Sequence, residues 1–324
     1  MTILSEAASL PDGWPLEANI KRSPTVRILL TGSSGLIGTV VQRRLTREGH
    51  TVMPLVRHRP TTDELRWDPN ASTLDSRMWG QVDAVIHLAG EGISGKSSTK
   101  EQMDTVVMSR IRGTQLLAQT IAKLPVKPVF LISASAIAYY GERGNEVLTE
   151  ESKPGAGALA DVCRQWEATS AAASDAGVRV ALLRLGVVLD SNGGLLPKML
   201  PPFRLGLGGK VGSGNQWTSW ITLNDICGIV MHLIQTDGLS GPVNVVSPQP
   251  ITNTQLTSAL GRALGKPAIL PIPAFAARAT LGRIADELLL ASNRVIPNKL
   301  LSSGYAFRDS DIESALRSLL GDPS

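Results

Sequence analysis

A chain of 324 residues that is 43% hydrophobic can bury a large core, with room for one large domain or two modest ones. Its charged residues (19%, net charge +4) are scattered rather than massed, which argues against nucleic-acid binding. No apolar stretch has membrane-spanning length, and neither Cys163 and Cys227 nor His50, His58, His87 and His232 show metal-ligand spacing, so no membrane span and no metal site are expected.

The first 25 residues, with Pro11, Gly13, Pro15 and Pro24, read as a flexible leader or the remnant of a linker. They lack a basic start followed by an apolar core, and the two cysteines read as buried free thiols, so the expected compartment is the cytoplasm. Val26 to Leu30 is an apolar run that predicts a strand. Thr31-Gly32-Ser33-Ser34-Gly35-Leu36-Ile37-Gly38 follows it and opens a segment of helical spacing. A strand, three glycines at intervals of three and a helix start make a cradle for a pyrophosphate, which the free N–H groups of the first helical turn attract. The helix turns Leu36, Ile37, Val40, Val41 and Leu45 inward and Arg43, Arg44 and Arg47 outward, and Gly49 ends it.

Thr51 to Val56 predicts the second strand, whose end decides which dinucleotide fits. A bare ribose hydroxyl wants a carboxylate there, yet no acidic residue occurs between Glu48 and Asp63. Arg57, His58 and Arg59 stand there instead, with Arg57 nineteen positions after Gly38. A guanidinium suits a 2′-phosphate, so the pattern favours NADP(H) over NAD(H). Glu64 to Trp67 predicts a short third strand ending at Asp68-Pro69, and Ala84 to Gly90 a strand buried on both faces. A long helix over 99–123, a strand over 127–135, a helix over 158–176 and a strand over 178–185 continue the rhythm. The predicted fold is α/β, a doubly wound parallel Rossmann sheet with a smaller, mostly helical C-terminal substrate or lid region. The expected division is a leader at 1–25, an NADP-binding domain at 26–190 and a lid region at 191–324, whose strand near 243–247 returns to the core.

Thr31 to Gly38, His87 to Glu91, Ser109-Arg110, Ser135 to Gly141, Trp166-Glu167, Arg184 to Leu189, Pro202 to Gly209 and Gly212 to Gly214 together form a pattern that resembles an atypical extended short-chain dehydrogenase/reductase of the NAD(P)-dependent epimerase/dehydratase superfamily, in its "epimerase family protein" branch. Arg294 to Pro297, Lys299-Leu300 and Gly304-Tyr305 are similar to that branch's short C-terminal domain of unknown function. The resemblance implies a cofactor set of Gly32, Ser33, Ser34, Gly35, Leu36, Ile37, Gly38, Arg57, Asp68, His87, Leu88, Ala89, Gly90, Arg110, Gly186 and Val187.

Working members of that superfamily carry Tyr-x-x-x-Lys, the tyrosine moving a proton and the lysine lowering its pKa. Anchored on Glu167, those two positions fall at Leu159 and Cys163. Leu159, Val162, Cys163, Trp166, Ser170 and Ala173 then share one helical face, as in ordinary core packing. The superfamily's serine falls at Ala136, one step from Ser135. Ser135, Tyr139, Glu91, Lys100 and Arg110 remain near the expected nicotinamide, and Ser135 and Tyr139 are the catalytic candidates; Tyr140 suits packing. Arg204, Lys210, Gln216, Trp217 and Trp220 occupy the region where nucleotide-sugar enzymes of this fold bind substrate, or else join lid to core; Asp225 reads as a helix cap.

Hydride delivery to an electrophilic acceptor needs mostly alignment and exclusion of water, whereas epimerisation also needs a positioned base. The leading expectation is an NADP(H)-dependent oxidoreductase acting on a small molecule, phosphorylated or a nucleotide sugar. The alternatives are a nucleotide-sugar epimerase with a non-standard acid/base and an NADPH-sensing protein without turnover. By fold analogy the helices at 99–123 and 158–176 are the candidate seams of a homodimer.

Overall fold

The computed structural model describes residues 25–91, 100–275, 278, 286 and 290–321. Residues 1–24 of the expected leader lie outside the described residues. Strand β1 (Arg27–Thr31) is followed by helix α1 (Leu36–Arg47), β2 (Thr51–Val56), β3 (Leu65–Asp68), β4 (Thr73–Leu74), β5 (Ala84–His87), α2 (Lys100–Lys123) and β6 (Phe130–Ala136). A short 3-10 turn at Ile137–Tyr140 leads to β7 (Val147–Leu148), α3 (Ala158–Ala168), α4 (Ala171–Asp175), β8 (Arg179–Leu185) and β9 (Val187–Leu189). Then come α5 (Leu196–Arg204), β10 (Trp217–Thr218), β11 (Trp220–Thr222), α6 (Leu223–Gln235), β12 (Gly241–Val245), β13 (Ile251–Thr252), α7 (Asn253–Ala263) and β14 (Arg294–Val295). Two further helices span Asn298–Ser302 and Ile312–Leu320.

Eight strands form one sheet in the order β12-β8-β6-β5-β1-β2-β3-β4. Its neighbours run parallel except β3 and β4, which are antiparallel. This is the doubly wound α/β sheet predicted from the sequence. Side chains alternate across it. Ile28, Leu30, Ile86, Ile132 and Leu183 face Val41 and Leu45 of α1 and Ile226, Ile229 and Val230 of α6. Leu29, Val85, Leu131 and Val180 face Leu117 and Ile121 of α2 and Ala173 of α4. A separate core joins Leu196, Leu200 and Phe203 of α5 to Trp220, Leu256 and Leu260, and to Leu316 near the C-terminus.

Two differences from the predicted elements have local causes. The helix expected over 158–176 breaks after Ala168, where the Thr169 and Ser170 hydroxyls donate to the carbonyls of Trp166 (2.6 Å) and Glu167 (2.7 Å). Such back-bonding offers the backbone an alternative to the helical ladder. The region after 190 holds more strand than one run: β9 pairs with β11 and β10 with β13, in two-residue and three-residue ladders too short to leave a periodic signal. Helix α6 and strand β12 both pack into the central layers, so the chain re-enters the nucleotide-binding sheet after the 191–222 segment.

Candidate functional site

The chain winds outward from β1 to β2 and β3, then returns to β5 on the other side of β1. Strand order therefore reverses between β1 and β5, and the crevice beyond those carboxyl ends is where doubly wound sheets bind ligands. A cleft of about 1030 Å³ opens there. It is lined by Gly32 to Gly35, by Pro54 to His58 at the end of β2, by Trp67, Pro69 and Asn70 after β3, and by Leu88 to Glu91 after β5. Asp104, Thr105, Met108, Ser109 and Arg112 of α2 close its far wall.

At Gly32 and Gly38 the cradle has no room for a side chain. Gly32 has φ +73°, and a Cβ on it would lie 2.7 Å from the carbonyl carbon of Leu88 and 2.8 Å from the Ala89 nitrogen. A Cβ at Gly38 would overlap the Gly32 carbonyl oxygen. Gly35 caps α1 without a side chain over the helix end, and no acidic residue sits in the first turn. The first amides of α1 thus face the cleft with the positive end of the helix dipole and no internal anion, which fits a pyrophosphate. Leu36, Ile37 and Gly38 form that first turn beside the lining residues.

Arg57 follows β2 directly. Its side chain is 68% exposed, and Nη1 lies 3.6 Å from Glu91 Oε2 across the cleft. So loose an exposed pair gives way readily to a doubly charged phosphate. His58 is held 3.5 Å from Glu64 Oε2.

His87 works under this floor. Nδ1 pairs with Thr31 Oγ1 (2.7 Å) and Nε2 with Thr114 Oγ1 (3.0 Å). Thr31 Oγ1 also accepts from Ala89 N–H (3.2 Å), and Thr114 Oγ1 accepts from Trp166 Nε1 (2.8 Å). Burial pushes the imidazole down to about 4, so it stays neutral at pH 7. The residue that the sequence sets beside the cofactor has both ring nitrogens engaged in the protein interior and ties β1, β5, α2 and α3 together. Besides the first turn of α1, four more of the predicted set do not line the cleft: Asp68, Gly186, Val187 and Arg110. Asp68 Oδ1 accepts from the amides of Asn70 (3.0 Å) and Ala71 (3.1 Å). The Gly186 and Val187 amides donate to Val245 and Ser219 carbonyls at 3.1 and 2.9 Å. Arg110 braces the loop after β5 instead, Nη1 donating to the Glu91 and Val106 carbonyls (both 2.9 Å). The Lys100 side chain lies outside the described part of the structure.

A buried polar network occupies the end of β6. Ser135 and Arg184 are register partners across β6 and β8, and Glu167 reaches over both from α3. Arg184 meets Glu167 in a fork, Nε to Oε1 and Nη2 to Oε2, both 2.9 Å. Ser135 Oγ donates to Glu167 Oε1 at 2.7 Å and is 2% exposed. Arg184 Nη1 donates to the Tyr140 hydroxyl (2.8 Å), which donates to Asn244 Oδ1 (2.7 Å). Burial, resisted by the Arg184 charge, pushes the Tyr140 phenol up to about 12, so this residue is a structural hydroxyl. Tyr139 differs: its half-buried ring lies under Arg184, with Cζ 3.5 Å from the centroid, and its hydroxyl bonds no described residue. In the sequence Glu167 and Arg184 stand only as motif positions. Arg184, inside the otherwise apolar run Val180 to Leu185, is the signal that a buried partner is needed.

Leu159 and Cys163 are both buried on α3. Burial, aided by the Glu167 charge, drives the Cys163 thiol up to about 12. Beyond the 137–140 turn lies a second chamber of about 360 Å³, walled by Ala138, Gly141, Ala156, Leu159, Leu290 and Ala291, with Glu142, Arg278, Asp286 and Asn293 as its polar members. The tryptophans of the expected substrate region serve packing: Trp220 is fully buried with Nε1 on the Gln249 carbonyl (3.1 Å), and Trp217 stacks under Arg294 (4.4 Å). Gln216 Nε2 donates to the Val211 carbonyl (2.9 Å). Asp225 does not cap α6. Thr222 does, and the Asp225 carboxylate accepts from Tyr305 Oη (3.0 Å) and from the amides of Arg308 and Asp309 (both 2.9 Å).

No described helix is long and apolar enough to cross a membrane, and no described cluster of His, Cys, Asp and Glu has the makings of a metal site. The chain is 40% identical to an epimerase family protein of Mycobacterium tuberculosis over 290 residues, which is 89% of this chain and 96% of that protein. A crystal structure of human epimerase family protein SDR39U1 (isoform2) with NADPH superposes with a TM-score of 0.83 at 34% identity, covering 90% of this chain and 98% of that one. The nucleoside-diphosphate sugar epimerase of Corynebacterium glutamicum gives a TM-score of 0.77 at 36% identity over 92% of this chain and 58% of that one. The profile of a domain of unknown function (DUF1731) matches residues 272–319. That of the NAD dependent epimerase/dehydratase family matches residues 28–246, from β1 through the return of β12, and the chain belongs to this family as an extended short-chain dehydrogenase of the epimerase family protein type.

Proposed function

We propose that this protein is an NADP(H)-dependent oxidoreductase that places a small electrophilic molecule against the nicotinamide. The observation that carries the reading is the glycine cradle opening onto a cleft in which β2 ends on Arg57 rather than on an acidic residue. The human relative's structure with NADPH supports it. Gly32 to Gly38 would hold the pyrophosphate, and Arg57, released from Glu91, the 2′-phosphate. Bound NADPH supplies a hydride. The chain's own part is to orient: the Ser135–Glu167–Arg184 network fixes the end of β6, and Leu159 with Ala138 makes part of the wall beyond it apolar. Tyr139 carries the one described phenol near that wall without a hydrogen-bond partner, and it is assigned as the proton donor. Ser135, whose hydroxyl is committed to Glu167, is assigned to positioning.

Nicotinamide fluorescence titrations with NADPH and NADH, on wild type and Arg57→Ala, test the cofactor assignment. NADPH should bind at least tenfold more tightly, about 1.4 kcal/mol, and the gap should vanish in the variant. Stopped-flow NADPH oxidation over a panel of carbonyl compounds tests turnover. Tight NADPH binding with no oxidation by any of them would favour the second reading, a redox-reporting protein, for which the burial of Leu159 and Cys163 speaks. That reading requires protease sensitivity to differ between the NADP⁺ and NADPH forms.

A further inference from the structure

Arg57 follows β2 where an NAD(H) site would carry a carboxylate for the ribose hydroxyls, yet the corner it occupies is not free of acid. Glu91 enters it from the opposite side, on the loop after β5, and its Oε2 lies 3.6 Å from Arg57 Nη1. The other acids that line the cleft are engaged or placed elsewhere. Glu64 accepts from the Thr61 amide (2.9 Å) and faces His58, and Asp104 belongs to the α2 wall. Among the described residues, Glu91 is the carboxylate that pairs with Arg57.

The Glu91 backbone is held at both ends. Its N–H donates to Ser109 Oγ (3.0 Å), and its carbonyl accepts from Arg110 Nη1 (2.9 Å), both on α2. The carboxylate is not held in the same way. It is 49% exposed and rests on a partner that is itself 68% exposed, so it can lie across the cleft on Arg57 or turn out into water.

That arrangement answers differently to the two nicotinamide dinucleotides. A 2′-phosphate must take Arg57 from Glu91 and then tolerate the displaced carboxylate as a like charge nearby. A 2′-hydroxyl can leave the ion pair in place and donate to the carboxylate, the part that an acidic residue at the end of β2 plays in NAD(H) sites.

We propose that Glu91 is the counterweight in cofactor choice: an internal anion that competes with the 2′-phosphate for Arg57 and offers NADH the hydroxyl acceptor that β2 lacks. It holds the preference for NADPH below what Arg57 alone would give. The proposal rests on the assignment of Arg57 to the 2′-phosphate.

Nicotinamide titrations of Glu91→Gln, and of the double variant Arg57→Ala with Glu91→Gln, test this against wild type and Arg57→Ala. Glu91→Gln keeps the length of the side chain and removes its charge. NADPH should bind about two- to fivefold more tightly, the range an exposed ion pair is worth. NADH should bind about threefold more weakly, a modest hydrogen bond. The preference for NADPH should therefore widen roughly tenfold. In the Arg57→Ala background the gain on NADPH should shrink, because the contested cation is gone, while the loss on NADH persists. A preference that Glu91→Gln leaves unchanged, weaker NADPH binding by that variant, or an equal NADPH gain in both backgrounds would overturn the proposal. If Arg57→Ala still abolishes the preference in those cases, the 2′-phosphate assignment stands and only the counterweight falls. If Arg57→Ala leaves the preference intact, both fall.

Discussion

Glu167 and Arg184 meet through two parallel hydrogen bonds of 2.9 Å, with side chains 10% and 3% exposed. The pair joins α3 to β8 and takes Ser135 and Tyr140 as its further partners. Removing one charge strands the other where water cannot reach it. Glu167→Ala should therefore cost about 3–5 kcal/mol, read from urea unfolding midpoints. The double variant Glu167→Met with Arg184→Met should recover part of that loss. A single variant within 1 kcal/mol of wild type, on the order of a surface pair, would show the network to be dispensable.

His87 gives the protein a predictable acid limb. Its pKa is about 4 in the folded protein against an ordinary 6.5, so between those values the unfolded chain binds a proton that the folded one excludes. Stability then rises with pH and falls as pH drops from 6.5 towards 4, by about 1.4 kcal/mol per pH unit from this group. Urea midpoints of wild type and His87→Gln, followed from pH 7.5 to 4.5, should diverge in slope over that window. Parallel curves would show that burial of the imidazole does not exclude the proton.

Cys163 and Cys227 should be inert in the native state. Both thiols are buried and pushed up to about 12, so almost no thiolate exists at neutral pH. Reaction with a thiol-specific disulfide reagent should be at least about a thousandfold slower in buffer than in denaturant. Installing the lysine that working superfamily members carry should fail: Cys163→Lys adds a cation beside Arg110 and Arg184, whose charges already act on this site. A loss of several kcal/mol is expected.

Gly38→Ala should abolish NADPH binding at any concentration that wild type needs for saturation. The added methyl overlaps the Gly32 carbonyl oxygen, so the turn must open and carry the α1 amides away from the cleft. Circular dichroism checks that the sheet survives. Retained affinity would show that the cradle can reform around a side chain.

The parts of this molecule legible in the sequence are those whose causes are local. The run from β1 through the cradle, α1 and β2 declares itself because a glycine turn, an apolar stripe and a basic strand end are each written within a few residues. The Glu167–Arg184 fork is not, since it depends on β6 and β8 lying side by side. His87 misleads for a related reason: its neighbours Leu88 to Glu91 do line the cleft, but strand alternation turns the imidazole away from it, toward Thr31 and Thr114. The short ladders β9–β11 and β10–β13 pair residues about thirty positions apart, beyond the reach of any periodicity.

The Asp225 carboxylate, fully buried in the first turn of α6, finds its donors on Tyr305, Arg308 and Asp309. Helix α6 belongs to the central layers, so a piece of the nucleotide-binding core waits for residues some eighty positions downstream before its charge is answered. During synthesis the sheet cannot settle as soon as its last strand leaves the ribosome. Until residue 309 emerges, α6 must either keep that carboxylate wet and stay undocked, or dock with it protonated. The C-terminal segment thus acts as the closing step of assembly, and nascent chains stalled before it should remain substrates for chaperones.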